Sequence, residues 1–113
     1  MNIKEITQDY SVSAQIQPGD VAELKAAGFK SVICNRPDHE DPGQPSVAEI
    51  RAAVEAAGLE FSHVPVISGQ MTAQNVEDQA RALEQLPKPV FAYCRSGTRS
   101  TNLYGYIQDM KRG

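Results

Sequence analysis

Pro89-Val90-Phe91-Ala92-Tyr93-Cys94-Arg95-Ser96-Gly97-Thr98-Arg99-Ser100 sets a short apolar run directly against a polar turn holding two arginines and a glycine. Residues 88–93 are rich in β-branched and aromatic side chains, which predicts a buried strand. From Ser100 onward, Leu103, Ile107 and Met110 recur at helical spacing and predict a helix. A buried strand that turns tightly into a helix is a unit of a parallel α/β sheet. Such a turn points successive backbone N–H groups inward, and with the positive end of the helix they form a cavity for an anion or oxyanion.

The rest of the chain repeats this alternation. Residues 5–12 predict one or two short strands. Pro18-Gly19-Asp20 opens a helix that carries Val21 and Leu24 on one face and stops at Gly28. Residues 30–35, centred on Ser31-Val32-Ile33-Cys34, read as a buried strand. Their sequel, Arg36-Pro37-Asp38-His39-Glu40-Asp41-Pro42-Gly43-Gln44-Pro45, has three prolines in ten residues and is a loop. Ser46 and Glu49 make an S-x-x-E capping box before Val47, Ile50, Val54 and Ala57, one apolar helical face closed by Gly58. Residues 60–66 predict another strand, Ser68-Gly69-Gln70-Met71 a loop, and Thr72 the start of a helix with Val76, Ala80 and Leu83 inward, ended by Leu86-Pro87. The expected fold is α/β with three layers: a mostly parallel sheet of about four or five strands and helices on both faces.

At 113 residues the chain has the size of one domain, spanning 1–113, either standing alone or cut from a longer protein after Lys111-Arg112-Gly113. Eleven Lys+Arg against 14 Asp+Glu give a net charge of -3, so the chain as a whole offers no basic footprint for nucleic acid. No window approaches the ~18 consecutive apolar residues of a membrane helix, and the N-terminus lacks the apolar stretch of a secretory signal. A cytoplasmic protein without a membrane partner is expected. The two cysteines, Cys34 and Cys94, have neither the number of a disulfide scaffold nor the spacing of a zinc site, so no metal or organic cofactor is expected.

Cys94 carries the chemistry. The turn amides, the helix dipole and the guanidinium groups of Arg95 and Arg99 all favour a thiolate there, the form that acts as a nucleophile. Gly97 permits a backbone angle that other residues resist, and the hydroxyls of Ser96, Thr98 and Ser100 can donate to the thiolate or to bound oxygens. A cysteine on an apolar strand is usually a core residue. Here four polar residues and a glycine follow it, two of the polar residues arginines, and the functional reading prevails.

Together with Val32-Ile33-Cys34-Asn35-Arg36-Pro37-Asp38-His39-Glu40 and His63-Val64-Pro65-Val66, the stretch 89–100 resembles the phosphatase-like domain of beta-lactamase-hydrolase-like proteins over nearly the whole chain. The resemblance implies a fold like that of dual-specificity tyrosine phosphatases. It also implies an association with sulfide and persulfide metabolism, in which such domains stand alone or are fused to metallo-beta-lactamase-type persulfide dioxygenases. The tyrosine-phosphatase signature has five residues between cysteine and arginine, whereas Cys94 and Arg99 are separated by four and Ser100 stands at the usual arginine position. The letters C-R-S-G-x-R-S resemble the active loop of single-domain rhodaneses. Phosphatases of this type also place an aspartate, as general acid, where Ile67-Ser68-Gly69-Gln70-Met71 has no carboxylate.

The expected activity is therefore that of a rhodanese-like sulfurtransferase. Cys94 takes a sulfane sulfur from thiosulfate, a persulfide or a polysulfide, holds it as a persulfide, and passes it to a thiol acceptor, with Arg99 and the loop amides holding the anion and Arg95 recruiting the donor. The alternatives are a cysteine-dependent phosphatase working through a Cys94 phosphocysteine and a noncatalytic anion-docking module.

The loop 36–45 follows the C-terminal end of a strand expected beside the one that leads to Cys94, where ligands bind in open α/β sheets. Arg36, Asp38 and His39 are candidates to line the pocket, with Asp38, Glu40 and Asp41 alternatively turn-formers on a solvated surface. His63 reads first as a satisfied, partly buried histidine, and Cys34 first as a core cysteine and second as a resolving thiol.

Overall fold

The computed structural model describes residues 1–112. Five strands form one sheet in the order β1-β2-β5-β3-β4, with β1 Lys4–Thr7, β2 Tyr10–Ser13, β3 Ser31–Cys34, β4 Glu60–His63 and β5 Val90–Tyr93. β1 runs antiparallel to β2, and the other neighbours are parallel. The opening segment thus supplies two strands, joined by a tight turn.

β5 lies at the centre, with β2 and β3 on its two sides. Tyr93 is in register with both Ser13 and Cys34, so the chain leaves β5 between the C-terminal ends of two other strands. The central strands are buried on both faces, as parallel strands covered by helices must be.

A 3-10 turn Pro18–Asp20 leads into α1 Val21–Ala26, and the capping box places Ser46 at the N-cap of α2 Val47–Ala56. These cover one face, where Leu24, Ile50 and Val54 pack on Val32, Phe91 and Tyr93. α3 Ala73–Gln85, capped by Thr72, and α4 Thr98–Arg112 cover the other, packing on Ile33, Val64 and Ala92. The three-layer α/β architecture expected from the sequence is the one observed.

Three elements depart from expectation. β4 stops at His63 because Pro65 cannot donate to the ladder, although Val64 and Val66 still donate to the carbonyls of Cys34 and Asn35 at 3.0 and 3.3 Å. α4 begins two residues early, at Thr98, which shortens the turn after β5. Met110, at helical spacing with Leu103 and Ile107, is 51% exposed and lines an open hollow with Met71 and Val76.

Candidate active site

β5 ends at Tyr93 and α4 starts at Thr98, so only residues 94–97 connect them. The end of β2 pins this turn: the Cys94 N–H donates to the Ser13 carbonyl at 3.4 Å, and the Gln15 N–H donates to the Arg95 carbonyl at 3.3 Å. Gly97 has φ +92, and a Cβ there would lie 3.4 Å from the Ser13 carbonyl carbon and oxygen. The angle calls for glycine, whereas the approach to Ser13 alone would be ordinary contact. The Gly97 N–H consequently points at Cys94 Sγ, 3.1 Å away, a donor placed to hold negative charge on the sulfur.

Arg99, in the first turn of α4, folds back toward the turn. One Nη donates to the Val66 carbonyl at 2.7 Å and to Glu40 Oε2 at 2.8 Å, and the other donates to Glu40 Oε1 at 2.9 Å. The Glu40 carboxylate, and secondarily the neighbouring Cys94 sulfur, hold Arg99 firmly in its charged form against the cost of burial. Glu40 in turn has its pKa lowered to about 2, first by its hydrogen bonds with Arg99 and, against the opposing effect of burial, also by Arg36.

The pairing continues beyond Glu40. Arg36, 2% exposed, donates through Nε to Glu40 at 2.7 Å and through its Nη atoms to Asp41 and Gln15, both at 2.8 Å. Asp41 also meets Arg95 Nε at 3.1 Å. The chain Arg99, Glu40, Arg36, Asp41, Arg95 ties both arginines of the turn to the β3–α2 loop. Three guanidinium groups against two carboxylates leave one positive charge for an incoming anion.

Beneath the turn lies a buried polar network. The Ser100 hydroxyl donates to Asn35 Oδ1 at 2.9 Å. The Asn35 amide donates to the Val64 carbonyl and to Gln79 Oε1, and Tyr10 donates through its hydroxyl to the Ser100 carbonyl at 2.7 Å. All four side chains are buried, and this network seats the start of α4 on β2 and β3.

The structure separates the residues singled out in the sequence. Arg95, Ser96, Thr98 and Arg99 line one cleft of about 530 Å³, whose other wall mixes apolar Ile67, Met71 and Tyr106 with polar Ser68 and Asn102. Gly97 lines a neighbouring hollow that shares Ser96 and Thr98 with this cleft and includes Ser13 and Ala14, and Cys94 has no exposed surface. Ser96 and Thr98 are exposed, and their hydroxyls share a 3.0 Å hydrogen bond. Three expected binding residues sit elsewhere. Ser100 turns its hydroxyl to Asn35, away from the thiol. Asp38 accepts from the Val47 N–H at 2.8 Å and so caps α2. Arg36 is shut behind Glu40 and Asp41 and acts on the site only through them. His39 stands exposed at φ +64 in a separate hollow of the 36–45 loop.

His63 Nε2 donates to the Arg36 carbonyl at 2.9 Å, which makes it a satisfied structural histidine. Cys34 packs among the side chains beneath α2, and burial pushes its thiol pKa up. Its partner in register, Tyr93, shares that face, so Cys94, the next residue, leaves toward the α4 side, on the opposite face from Cys34. Glu40, read from the sequence as a turn-former on a solvated surface, instead bridges Arg36 and Arg99. The signal was a carboxylate in a long loop beside a turn with two arginines.

A buried cysteine that accepts from the Gly97 amide at the end of a central parallel strand, with an arginine in the first turn of the following helix, sits in a phosphatase-like fold. The chain belongs to the family described as beta-lactamase hydrolase-like protein, phosphatase-like domain, which matches residues 2–110. It is 35% identical over 104 residues to a beta-lactamase hydrolase-like protein of Agrobacterium fabrum, covering 92% of this chain and 24% of that one. The chain thus spans about a quarter of the length of the curated relatives it matches. Among solved structures it superposes on a candidate phosphatase of Neisseria meningitidis Z2491 with TM-score 0.88 and 36% identity, covering 96% of this chain and 77% of that one. The catalytic core of the PP-IP phosphatase SIW14 of S. cerevisiae shares the fold, with TM-score 0.76 and 14% identity over 100% of this chain and 68% of that one. The fold is that of phosphatases. Neither family nor fold adds support to the sulfurtransferase reading.

Proposed function

We propose that this domain hydrolyses phosphate monoesters through a phosphocysteine on Cys94. The observation that carries this reading is the placement of Arg99, held charged by Glu40, against both the Cys94 sulfur and the cleft. The Cys94 thiolate attacks phosphorus in line, the S–P bond forms as the bond to the ester oxygen breaks, and the leaving group departs opposite the sulfur. Arg99 and the turn amides hold the phosphoryl oxygens as charge redistributes over them. Water then attacks phosphorus, releasing inorganic phosphate and the thiolate. Because Cys94 has no exposed surface, residues 95–98 must shift to admit the phosphoryl group.

Glu40 does not replace the missing general acid. With a pKa of about 2 it remains ionised, engaged with two arginines. Without a proton donor at residues 67–71 the leaving oxygen departs as an anion, which restricts the substrates to esters of weakly basic alcohols. The test is phosphate release from an aryl phosphate by the wild type and by Cys94→Ser. Release that persists in the variant would overturn the reading.

A second reading, sulfur transfer, is favoured by the four-residue spacing from Cys94 to Arg99 and by the absence of the acid. In it the Cys94 thiolate attacks the outer sulfur of thiosulfate, sulfite leaves, and an acceptor thiolate removes the sulfur from the resulting persulfide. We further propose that residues 1–113 act as one domain, within a cell's cytoplasm and within a longer polypeptide or beside a partner. Under the second reading the partner would be a metallo-beta-lactamase-type persulfide dioxygenase.

A further inference from the structure

We propose that the groove between α3 and α4 docks a basic amphipathic helix of a partner protein. Such docking is independent of which chemistry Cys94 performs.

The two helices cover the sheet by burying Val76 of α3 and Leu103 and Ile107 of α4 in one apolar cluster with Val66. A helix that covers a sheet in this way normally turns polar side chains to solvent. One flank of α4 does not. Tyr106 and Met110, one turn apart, are 54% and 51% exposed. With Met71, Ala73 and Val76 they line an open hollow of about 600 Å³. Single exposed apolar side chains are ordinary, but two large ones bordering the same concavity mark a surface that binding covers. The hollow runs between a turn of α3 and a turn of α4, a shape that receives the apolar stripe of a third helix at its i, i+3, i+4 and i+7 positions.

Charge chooses the occupant. The charged side chains lining the hollow are both acidic and stand on opposite banks, Glu77 on α3 and Asp109 on α4. Arg112, 81% exposed and 3.9 Å from Asp109, meets that carboxylate only loosely. A second copy of this chain seated here about a two-fold axis would set the two acidic rims against each other. An anionic lipid surface would meet the same repulsion. A helix with Lys or Arg on both sides of its apolar stripe pairs with both banks while its stripe covers Tyr106 and Met110. The net charge of -3 on the chain also favours encounter with a basic segment.

The experiment uses the full chain and two fluorescein-labelled peptides of about 14 residues, with leucines at i, i+3, i+4 and i+7 and either lysines or glutamates flanking them. Binding is read by fluorescence anisotropy at about 50 mM salt. The lysine peptide is expected to bind about tenfold or more tightly than the glutamate peptide. Tyr106→Ser with Met110→Ser, both at exposed positions, should weaken the lysine peptide by about tenfold. Glu77→Lys with Asp109→Lys should reverse the preference, so that the glutamate peptide binds more tightly. That gain requires a folded groove. Glu23→Lys with Glu55→Lys makes the same change in net charge on the α1 and α2 layer and should leave the preference in place.

Equal affinity for the two peptides would overturn the proposal. So would a lysine preference that survives reversal of Glu77 and Asp109, or one that the Glu23 and Glu55 pair abolishes equally, since the peptide would then be reading net charge alone. Sedimentation of the chain without peptide supplies the remaining arm. A dimer that dissociates on Tyr106→Ser with Met110→Ser would give the groove to a second copy and overturn the proposal as well.

Discussion

The two loops at the C-terminal ends of β5 and β3 meet through five charged side chains, yet they speak differently in the sequence. Residues 94–97 are short, and their role follows from neighbours in the chain: strand, cysteine, glycine, helix start. Residues 36–45 act at a distance. Glu40 lies 59 residues from Arg99 in sequence and 2.8 Å from it in space. Under the proposed function, the difference teaches that the first loop supplies the reacting groups and the second supplies the countercharge that aims them.

Substituting in the two loops should break this division in graded steps. Cys94→Ser removes the nucleophile and should abolish turnover of an aryl phosphate, a loss on the order of 10⁴-fold or more in kcat. Arg99→Lys keeps the charge but loses the fork that engages Glu40 and the anion together, and kcat should fall by about 10²–10³-fold with a smaller change in KM. A larger effect on KM than on kcat would mean that Arg99 binds the ground state only.

Glu40→Gln leaves Arg99 its position on the Val66 carbonyl but removes the shared carboxylate. The expected loss is about tenfold in kcat and about 1–3 kcal/mol in unfolding free energy, read by urea denaturation. Because the Glu40 pKa falls from 4.5 to about 2 on folding, its stabilisation is complete above pH 4.5 and fades as the pH drops toward 2. The stability gap between wild type and Glu40→Gln should therefore be constant from about pH 6 to 8 and close on acidification below about pH 4.5. A gap that widens in acid would contradict the pairing. The smallest effect belongs to Asp38→Ala, which removes a cap on the α2 N-terminus. Stability should fall by about 1 kcal/mol while kcat stays within about twofold. A large loss of kcat would return Asp38 to the site.

Much of the fold was legible because its signals are local. The Ser46–Glu49 capping box and the spacing of Val47, Ile50 and Val54 each act within one helix, and α2 forms where they predict it. On α3 the expected inward face of Val76, Ala80 and Leu83 is only partly the buried one. Gln79 and Ala82 are buried with Val76, since Gln79 finds Asn35 and Tyr10 on distant strands. No periodicity marks a glutamine as a core residue when its partners are 44 and 69 positions away. In the candidate site Cys94, Arg99 and Gly97 were legible from the turn itself. Ser100, Arg36 and Asp38 were assigned to the anion because they are polar and near it in sequence or topology. Their hydrogen bonds go instead to Asn35, to Glu40 and Asp41, and to the Val47 amide, pairings that only the folded chain creates.

The most direct test is the mass of the intact protein after rapid acid quench, following brief exposure to an aryl phosphate and, in parallel, to thiosulfate, with Cys94→Ser as control. A phosphoryl group gained from the ester only when Cys94 is present, with no sulfur gained from thiosulfate, is the predicted result. Sulfur gained on Cys94 with no phosphoryl adduct and no phosphate released would contradict it and assign the site to sulfur transfer.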